Sequence, residues 1–308
     1  LNKTELDSLC QKFPEHTFIV ATQLPGMFLL DLEENEIKEK SSKVEYVILQ
    51  SDKACDIAKE IALLKPDAAA AATFWTTPYD WLPVKDSMVG EELTKLGVKT
   101  YCHSVEATVN CFDKWRTHQA VEKLCTLKMP KAVYVHHALF INGGNRRELK
   151  SNVYRESVLM QIKALHFPVV IKDTVGLSSY GMDVVNSFED AVVYLNSKRN
   201  TSDRIVEEYI EGIQFGVEAY GDFREQDNFS ANRTRTFISS PFMFSVNKYG
   251  ITSPKQSVKL GPVNSETFSV CKLKKELLAL CHQMKFCGAV QFDLVFSEKE
   301  NCWYLIEI

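Results

Sequence analysis

The stretch from Phe167 to Val185, FPVVIKDTVGLSSYGMDVV, limits most sharply what this chain can become. Val169, Val170 and Ile171 form a short β-branched run bounded by a turn signal, which favours strand over helix. The strand closes on Lys172, a loop of small residues carries Gly176, Ser178, Ser179 and Gly181, and a second strand resumes at Met182. A lysine at a strand end followed by such a loop is what a nucleotide's phosphates need. The lysine supplies a point charge, and small residues let backbone N–H groups approach the oxygens. No Gly-Lys-Ser/Thr follows and no helix opens on the loop, so it is not a Walker A sequence. Alone, the pattern equally suits a plain hairpin with a Gly/Ser turn.

At 308 residues the chain has length for two or three domains, each with its own core. A net charge of -4 and the lack of a basic tract argue against nucleic acid and anionic membrane as partners. The longest apolar stretch, Ala68 to Trp75, is far below the ~18–20 residues that span a bilayer. The 9 cysteines are scattered, odd in number and without a CxxC pair, which predicts reduced thiols in the cytoplasm and neither disulfides nor a zinc site.

Along the chain, strands are expected at 16–22, 44–49, 67–75 and 98–101, with helices at 52–64 and 87–96. This alternation predicts an open α/β layer with a mostly parallel sheet over residues 1–112. Its first turn lacks G-x-G-x-x-G, so no dinucleotide site is assigned there. Asp113 is a candidate N-cap for a helix reaching about Thr126, with Lys114 in its first turn. A strand at 134–140 would hold His136 and His137 on opposite faces, where one metal cannot take both. Helices follow at 152–165 and, capped by Ser187, up to Leu195, and strands at 204–210 and 215–220. The polar segment 221–263, with Arg224, Arg233, Arg235, Lys248, Lys255 and Lys259, reads as a disordered connection or a lid. A helix within 265–285 and strands at 289–296 and 303–308 complete the chain, which stops inside its last strand.

Acidic residues recur inside these last strands. Asp293 lies in VQFDLVF, on one face with Gln291 and Val295, and Glu307 lies in YLIEI. A carboxylate in an apolar strand is costly unless paired or bound to a metal. On adjacent strands the two would offer oxygen ligands to Mg²⁺, the ion that accompanies a triphosphate. Glu207 and Glu208, in IVEEYIEG, are less telling, since alternation turns one of them to solvent.

Taken in order, Lys114, VVIK with SSYGM, EEYIEG, FDLVF and LIEI resemble the ATP-grasp enzymes of the D-alanine–D-alanine ligase-like group, from about residue 113 to the end. The resemblance implies an N-terminal open α/β (pre-ATP-grasp) layer followed by a two-lobed ATP-grasp fold of α/β and α+β character. The domains would then be 1–112, 113–205 and 206–308, the last one truncated. It implies that Lys114 and Lys172 bind ATP phosphates under a flap of Ser178, Ser179 and Gly181. Glu207, Glu208, Tyr209 and Ile210 would form the adenine hinge, with Gln214 at the ribose and Asp293 and Glu307 on Mg²⁺. The chain also departs from the group. Gln214 stands where a glutamate is frequent, Gln291 where D-alanine ligases have an arginine, and a metal-binding asparagine would fall just past Ile308. Gln291 argues against a strict D-alanine–D-alanine ligase, and Arg233 or Arg235 could supply the missing charge in catalysis beside Lys172 and Ser179.

The implied reaction is ATP-dependent joining of a small carboxylic acid and an amine, such as amino acids or dipeptides, through an acyl phosphate, releasing ADP and phosphate. The implied enzyme is cytoplasmic and admits a homodimer. Lys255 and Lys259 are candidates for closing on phosphate as 222–262 covers the site. One rival is a biotin-carboxylase-like enzyme that activates bicarbonate with the same residues. The other is a nucleotide-binding protein whose catalysis has decayed, for which Gln214 and Gln291 speak.

Overall fold

The chain folds into two compact units, Leu1–Val105 and Glu106–Ile308. The computed structural model describes residues 3–23, 43–72, 81–124, 127–141, 152–175, 182–224, 236–244, 259–263 and 266–308.

The first unit opens with helix α1 (Lys3–Lys12), which the sequence reading did not anticipate. Strands β1 (Phe18–Thr22) and β2 (Val44–Ile48) pair in parallel. So do β3 (Ala68–Ala70) and β4 (Lys99–Tyr101), in keeping with the expected α/β layer. Helices α2 (Ala54–Leu63) and α3 (Leu82–Lys95) share a core in which Ile57 and Ala58 meet Val89 and Leu93. Their spacing is the one-face helical repeat the sequence displays.

The second unit begins one residue into α4 (Val105–Phe112), also unanticipated, and continues with α5 (Lys114–Leu124). Asp113 caps α5 as expected, its Oδ1 accepting from the amides of Trp115 at 2.9 Å and Arg116 at 3.3 Å. A four-stranded antiparallel sheet follows, in the order β5 (Ala132–Val135), β8 (Arg204–Glu208), β6 (Val169–Asp173), β7 (Asp183–Val185). The expected strand over 134–140 is shorter than its sequence suggests. It ends at Val135, and His137–Ile141 turns into helix α6, so the two histidines do not share a strand. The Asp203 carboxylate drives this turn by accepting from the His137 amide at 2.8 Å. Helices α7 (Val153–Lys163) and α8 (Phe188–Asn196) cover one face of the sheet. Val158, Ile162, Ala191 and Leu195 pack there on Val133, Val169, Ile171 and Val206. Alternation therefore turns Val170, Lys172, Ile205 and Glu207 to the other face.

The larger sheet is antiparallel, in the order β12 (Lys259–Leu260), β11 (Phe242–Phe244), β9 (Ile213–Asp222), β13 (Cys287–Ser297), β14 (Cys302–Glu307). A further strand, β10 (Thr236–Ile238), also pairs with β9. Helix α9 (Val270–Gln283) lays Leu273, Leu277 and Leu280 against Phe215, Val217, Phe292 and Leu294 on one face. Each such side chain contributes about 1.5–3 kcal/mol by leaving water. The described parts of the segment expected to be a disordered connection or lid supply three short strands, because Thr-Phe-Ile and Phe-Met-Phe have strand-forming side chains. The border expected at 205/206 falls inside β8, which belongs wholly to the four-stranded sheet. No helix among the described residues is long and apolar enough to cross a membrane, and their eight cysteines are all free thiols.

Candidate functional site

One row of residues crosses the face of the larger sheet opposite α9. Phe242 on β11 stands opposite Gly216 on β9, Gly216 opposite Asp293 on β13, and Asp293 opposite Glu307 on β14. The last pairing depends on a β-bulge. Leu294 pairs with Leu305, so a regular ladder would bring Ile306 to Asp293, but the register shifts and Glu307 arrives there. The extra residue places two carboxylates side by side and leaves Ile308 to pack on the core.

Asp293 registers this crowding. Burial pushes its carboxyl up to about 6 and the Glu307 charge adds to the rise. A hydrogen bond from the Gln291 amide at 2.8 Å, with the Lys259 and Lys172 charges, works in the opposite direction. Two acidic and two basic side chains from four separate strands thus act on one another.

Lys172 reaches the cluster from the four-stranded sheet. It is only 6% exposed and pairs at 2.6 Å with Glu207, itself 5% exposed, on the neighbouring strand. The two sit on a diagonal, with Val170 opposite Glu207 and Ile205 opposite Lys172. Their carboxylate and ammonium are taken from water together, which is the condition for burying either. Lys114 ties the two sheets. Its amide donates to the Thr174 carbonyl just past β6 at 2.8 Å, and its ammonium holds Glu307 at 2.9 Å.

Lys259 comes from the far edge. Its ammonium lies 4.7 Å from the Phe242 ring centre, over the row that ends in Asp293 and Glu307. The ring can lie there because Gly216 has no side chain: a Cβ on Gly216 would stand 2.3 Å from the ring. Lys259 was one loop charge among several in the sequence. The pairing of β11 with β12 selects it, and no local pattern announces that pairing.

Not every expected residue joins. Alternation on β8 turns Glu208 to the other face, where it accepts from the His166 amide at 3.0 Å and meets the His166 ring nitrogen at 2.8 Å. The amide of Tyr209 donates to the Pro168 carbonyl and that of Glu208 to the Lys131 carbonyl, at 3.0 and 2.9 Å. Ile210 follows them into the turn that leads to β9, and Gln214 lies on β9 opposite Val295, two residues from Gly216 on the same face. Ser178, Ser179, Gly181, Arg233, Arg235 and Lys255 lie outside the described residues.

The arrangement suits a divalent cation. Asp293 and Glu307 are neighbouring carboxylates, and magnesium takes one or two protein carboxylates while substrate phosphates and water complete its shell. No group of three or more His, Cys, Asp or Glu side chains among the described residues could close around a metal.

No family model matches the sequence, and no curated protein does. Solved structures do match. The ADP complex of purK, N5-carboxyaminoimidazole ribonucleotide synthetase, superposes with a TM-score of 0.64 at 13% identity, over 97% of this chain and 65% of that one. The D-alanine–D-alanine ligase from Bacillus anthracis complexed with ATP gives 0.56 at 13% identity, over 95% and 84%. The VanG D-Ala:D-Ser ligase from Enterococcus faecalis gives 0.51 at 17%, over 72% of this chain and 59% of that ligase. The chain has the ATP-grasp fold. It spans under two thirds of VanG and of purK, and the larger part of the Bacillus anthracis ligase. Within this fold, the row Phe242–Gly216–Asp293–Glu307 and the pair Lys172–Glu207 are the two halves of the candidate site.

Proposed function

We propose that the chain binds MgATP between its two sheets and uses it to join a small carboxylic acid to an amine. The observation that carries this reading is the convergence on Asp293 of Glu307, Lys259 and Lys172 from separate strands. Two anions and two cations at one place suit a polyanion held through a metal on one side and by ammonium groups on the other.

In this reading Lys172, Lys114 and Lys259 neutralise the phosphates, and Lys172 keeps Glu207 fixed at the start of the adenine hinge. Since the amides of Glu208 and Tyr209 are engaged within the protein, recognition of the base falls to Glu207, backbone carbonyls and the amide of Ile210. Gln214 serves the ribose. Ser178, Ser179 and Gly181 form the flap, and Arg233 and Arg235 steady the acyl phosphate. Asp293 and Glu307 would hold magnesium, which would draw charge from the phosphate oxygens in transfer.

The substrate carboxylate attacks the γ-phosphorus, the bond to the ADP oxygen breaks, and ADP leaves with the electron pair. The amine nitrogen then attacks the acyl carbon, loses a proton and expels phosphate. The protein's share is orientation, charge balance and exclusion of water, because the phosphoryl step needs little covalent help. Reduced thiols and dependence on MgATP suit the cytoplasm.

The test is calorimetric titration with MgATP, followed by ADP release in the presence of pooled acids and amines. Release that needs both an acid and an amine supports the ligase. Release that needs bicarbonate would replace it by a carboxylase, and binding with no turnover by a nucleotide-binding scaffold.

A further inference from the structure

Helix α3 of the first unit buries Ser87, Val89, Gly90 and Leu93. At about 100° per residue, the side opposite that buried face is a stripe running from Trp81 through Met88 to Lys95, with Val84, Lys85, Glu91 and Glu92 between them. Its two large apolar side chains stand in water, Trp81 at 53% and Met88 at 48% exposure. They lie two turns apart, and Asp52–Cys55 at the start of α2 and Val105 wall an open groove of about 990 Å³ beside them. Apolar residues repeated every two turns with charges between them suit the seam of a helix pair. The charged ends of the stripe are already held in place. The Lys85 ammonium donates to Gln23 Oε1 at 2.5 Å, and Glu91 Oε1 accepts from the Val105 amide at 2.9 Å. Glu92 holds Lys95 at 2.6 Å.

We infer that this face of α3 is where a second copy of the chain docks, antiparallel, with a twofold axis at Met88. The order of the charges selects that partner. Lys85 precedes Met88 by as many residues as Glu91 follows it, and the same holds for Val84 and Glu92 and for Trp81 and Lys95. A copy turned about the axis therefore sets its Glu91 against Lys85 and its Lys95 on the Trp81 ring, while Met88 meets Met88. The Glu92 stem lies along Val84. Symmetry makes every contact off the axis twice. A parallel copy would set Lys85 on Lys85 and Glu91 on Glu91, and repulsion excludes it. The homodimer that the sequence admits thereby gains a surface and a register, and neither depends on the ligase reading. One helix pair is a small interface, below about 1,200 Å², so its dissociation constant is expected at about 1–100 µM.

The experiment is analytical ultracentrifugation of the full-length protein from about 5 to about 500 µM, where the mass should rise from one chain to two. Glu91→Lys sets lysine against lysine at both symmetry-related contacts and should raise the dissociation constant about 100-fold or more, and Lys85→Glu should do the same with carboxylates. The two changes together re-form the pair with its signs exchanged and should return the constant to within about tenfold of the wild type, which separates a lost contact from a damaged fold. Met88→Cys brings a thiol against its own copy, so mild oxidation should raise the yield of disulfide-linked dimer above that of the wild type. Leu63→Cys, on the exposed side of α2, should not. A wild type that stays monomeric at about 500 µM would overturn the second copy as occupant and leave the stripe to a different protein. A dimer that withstands both single changes, no recovery in a folded double variant, or equal linking through Leu63→Cys and Met88→Cys would overturn the register and the surface.

Discussion

The two sheets that face the candidate site hold charge in opposite ways. On the four-stranded sheet Lys172 and Glu207 are buried together and cancel at 2.6 Å. On the six-stranded sheet Asp293 and Glu307 are like charges set side by side by a bulge, and burial lifts Asp293 to about 6. In the first, ammonium and carboxylate balance each other before any ligand arrives. On the second, two carboxylates stand beside one close ammonium, that of Lys114, 2.9 Å from Glu307. A fold that must grip a metal-bound polyanion gains from this division, since one side supplies a balanced frame and the other a surplus of carboxylate for a metal ion.

The largest test of the contrast removes one member of the complete pair. Lys172→Met leaves Glu207 charged and buried, and urea denaturation should show a loss of about 3–5 kcal/mol. Adding Glu207→Leu should restore most of that stability without restoring MgATP binding, because the frame returns and the cation does not. If Lys172→Met proved as stable as the wild type, the pair would not be buried in solution and the contrast would fail.

The incomplete pair should respond in the opposite sense. The folded pKa of Asp293, about 6, lies above its ordinary 3.8, so the folded protein holds this proton more firmly than the unfolded chain does. That contribution is complete below pH about 4 and is lost as pH rises through about 6. Metal-free Asp293→Asn should therefore match the wild type near pH 4 and exceed it by about 3 kcal/mol at pH 7, measured by urea melts across that range. A constant difference across the range would show that Asp293 is not the group that titrates.

Smaller effects are expected further from the centre of the pair. Glu307→Gln relieves Asp293 of its neighbour but loses the Lys114 ion pair, so calorimetry should show Mg²⁺-dependent ATP binding weakened about tenfold while stability changes by under about 1 kcal/mol. Lys259→Met should change stability by no more than about 0.5 kcal/mol, as befits an exposed edge residue, yet raise the KM for ATP about threefold to tenfold. A stability loss beyond that would make Lys259 a structural contact of Phe242 and not a ligand for phosphate.

Much of the fold was legible because its signals are local. The β-branched run before Lys172, the Asp113 and Ser187 caps and the leucine spacing of α9 each state their element within a few residues. Helices α1 and α4 were missed locally, and the misses at the site share one cause, a partner distant in sequence. His136 and His137 lie in what looks like a strand until Asp203 captures the His137 amide. Glu207 and Glu208 look alike as neighbours, and only the side on which α7 and α8 pack decides which of them meets Lys172. Lys259 was indistinguishable from Lys255 until its strand found β11.

The sequence by itself determined which residue types lie in which strands, because a period of two and a period of three or four residues are written in the order of side chains. Tertiary structure alone decided that Glu307 and not Ile306 faces Asp293, since a one-residue bulge reverses the alternation and leaves no mark on composition. It also decided which cations stand near that pair, because charges act through space and the chain records only its own order.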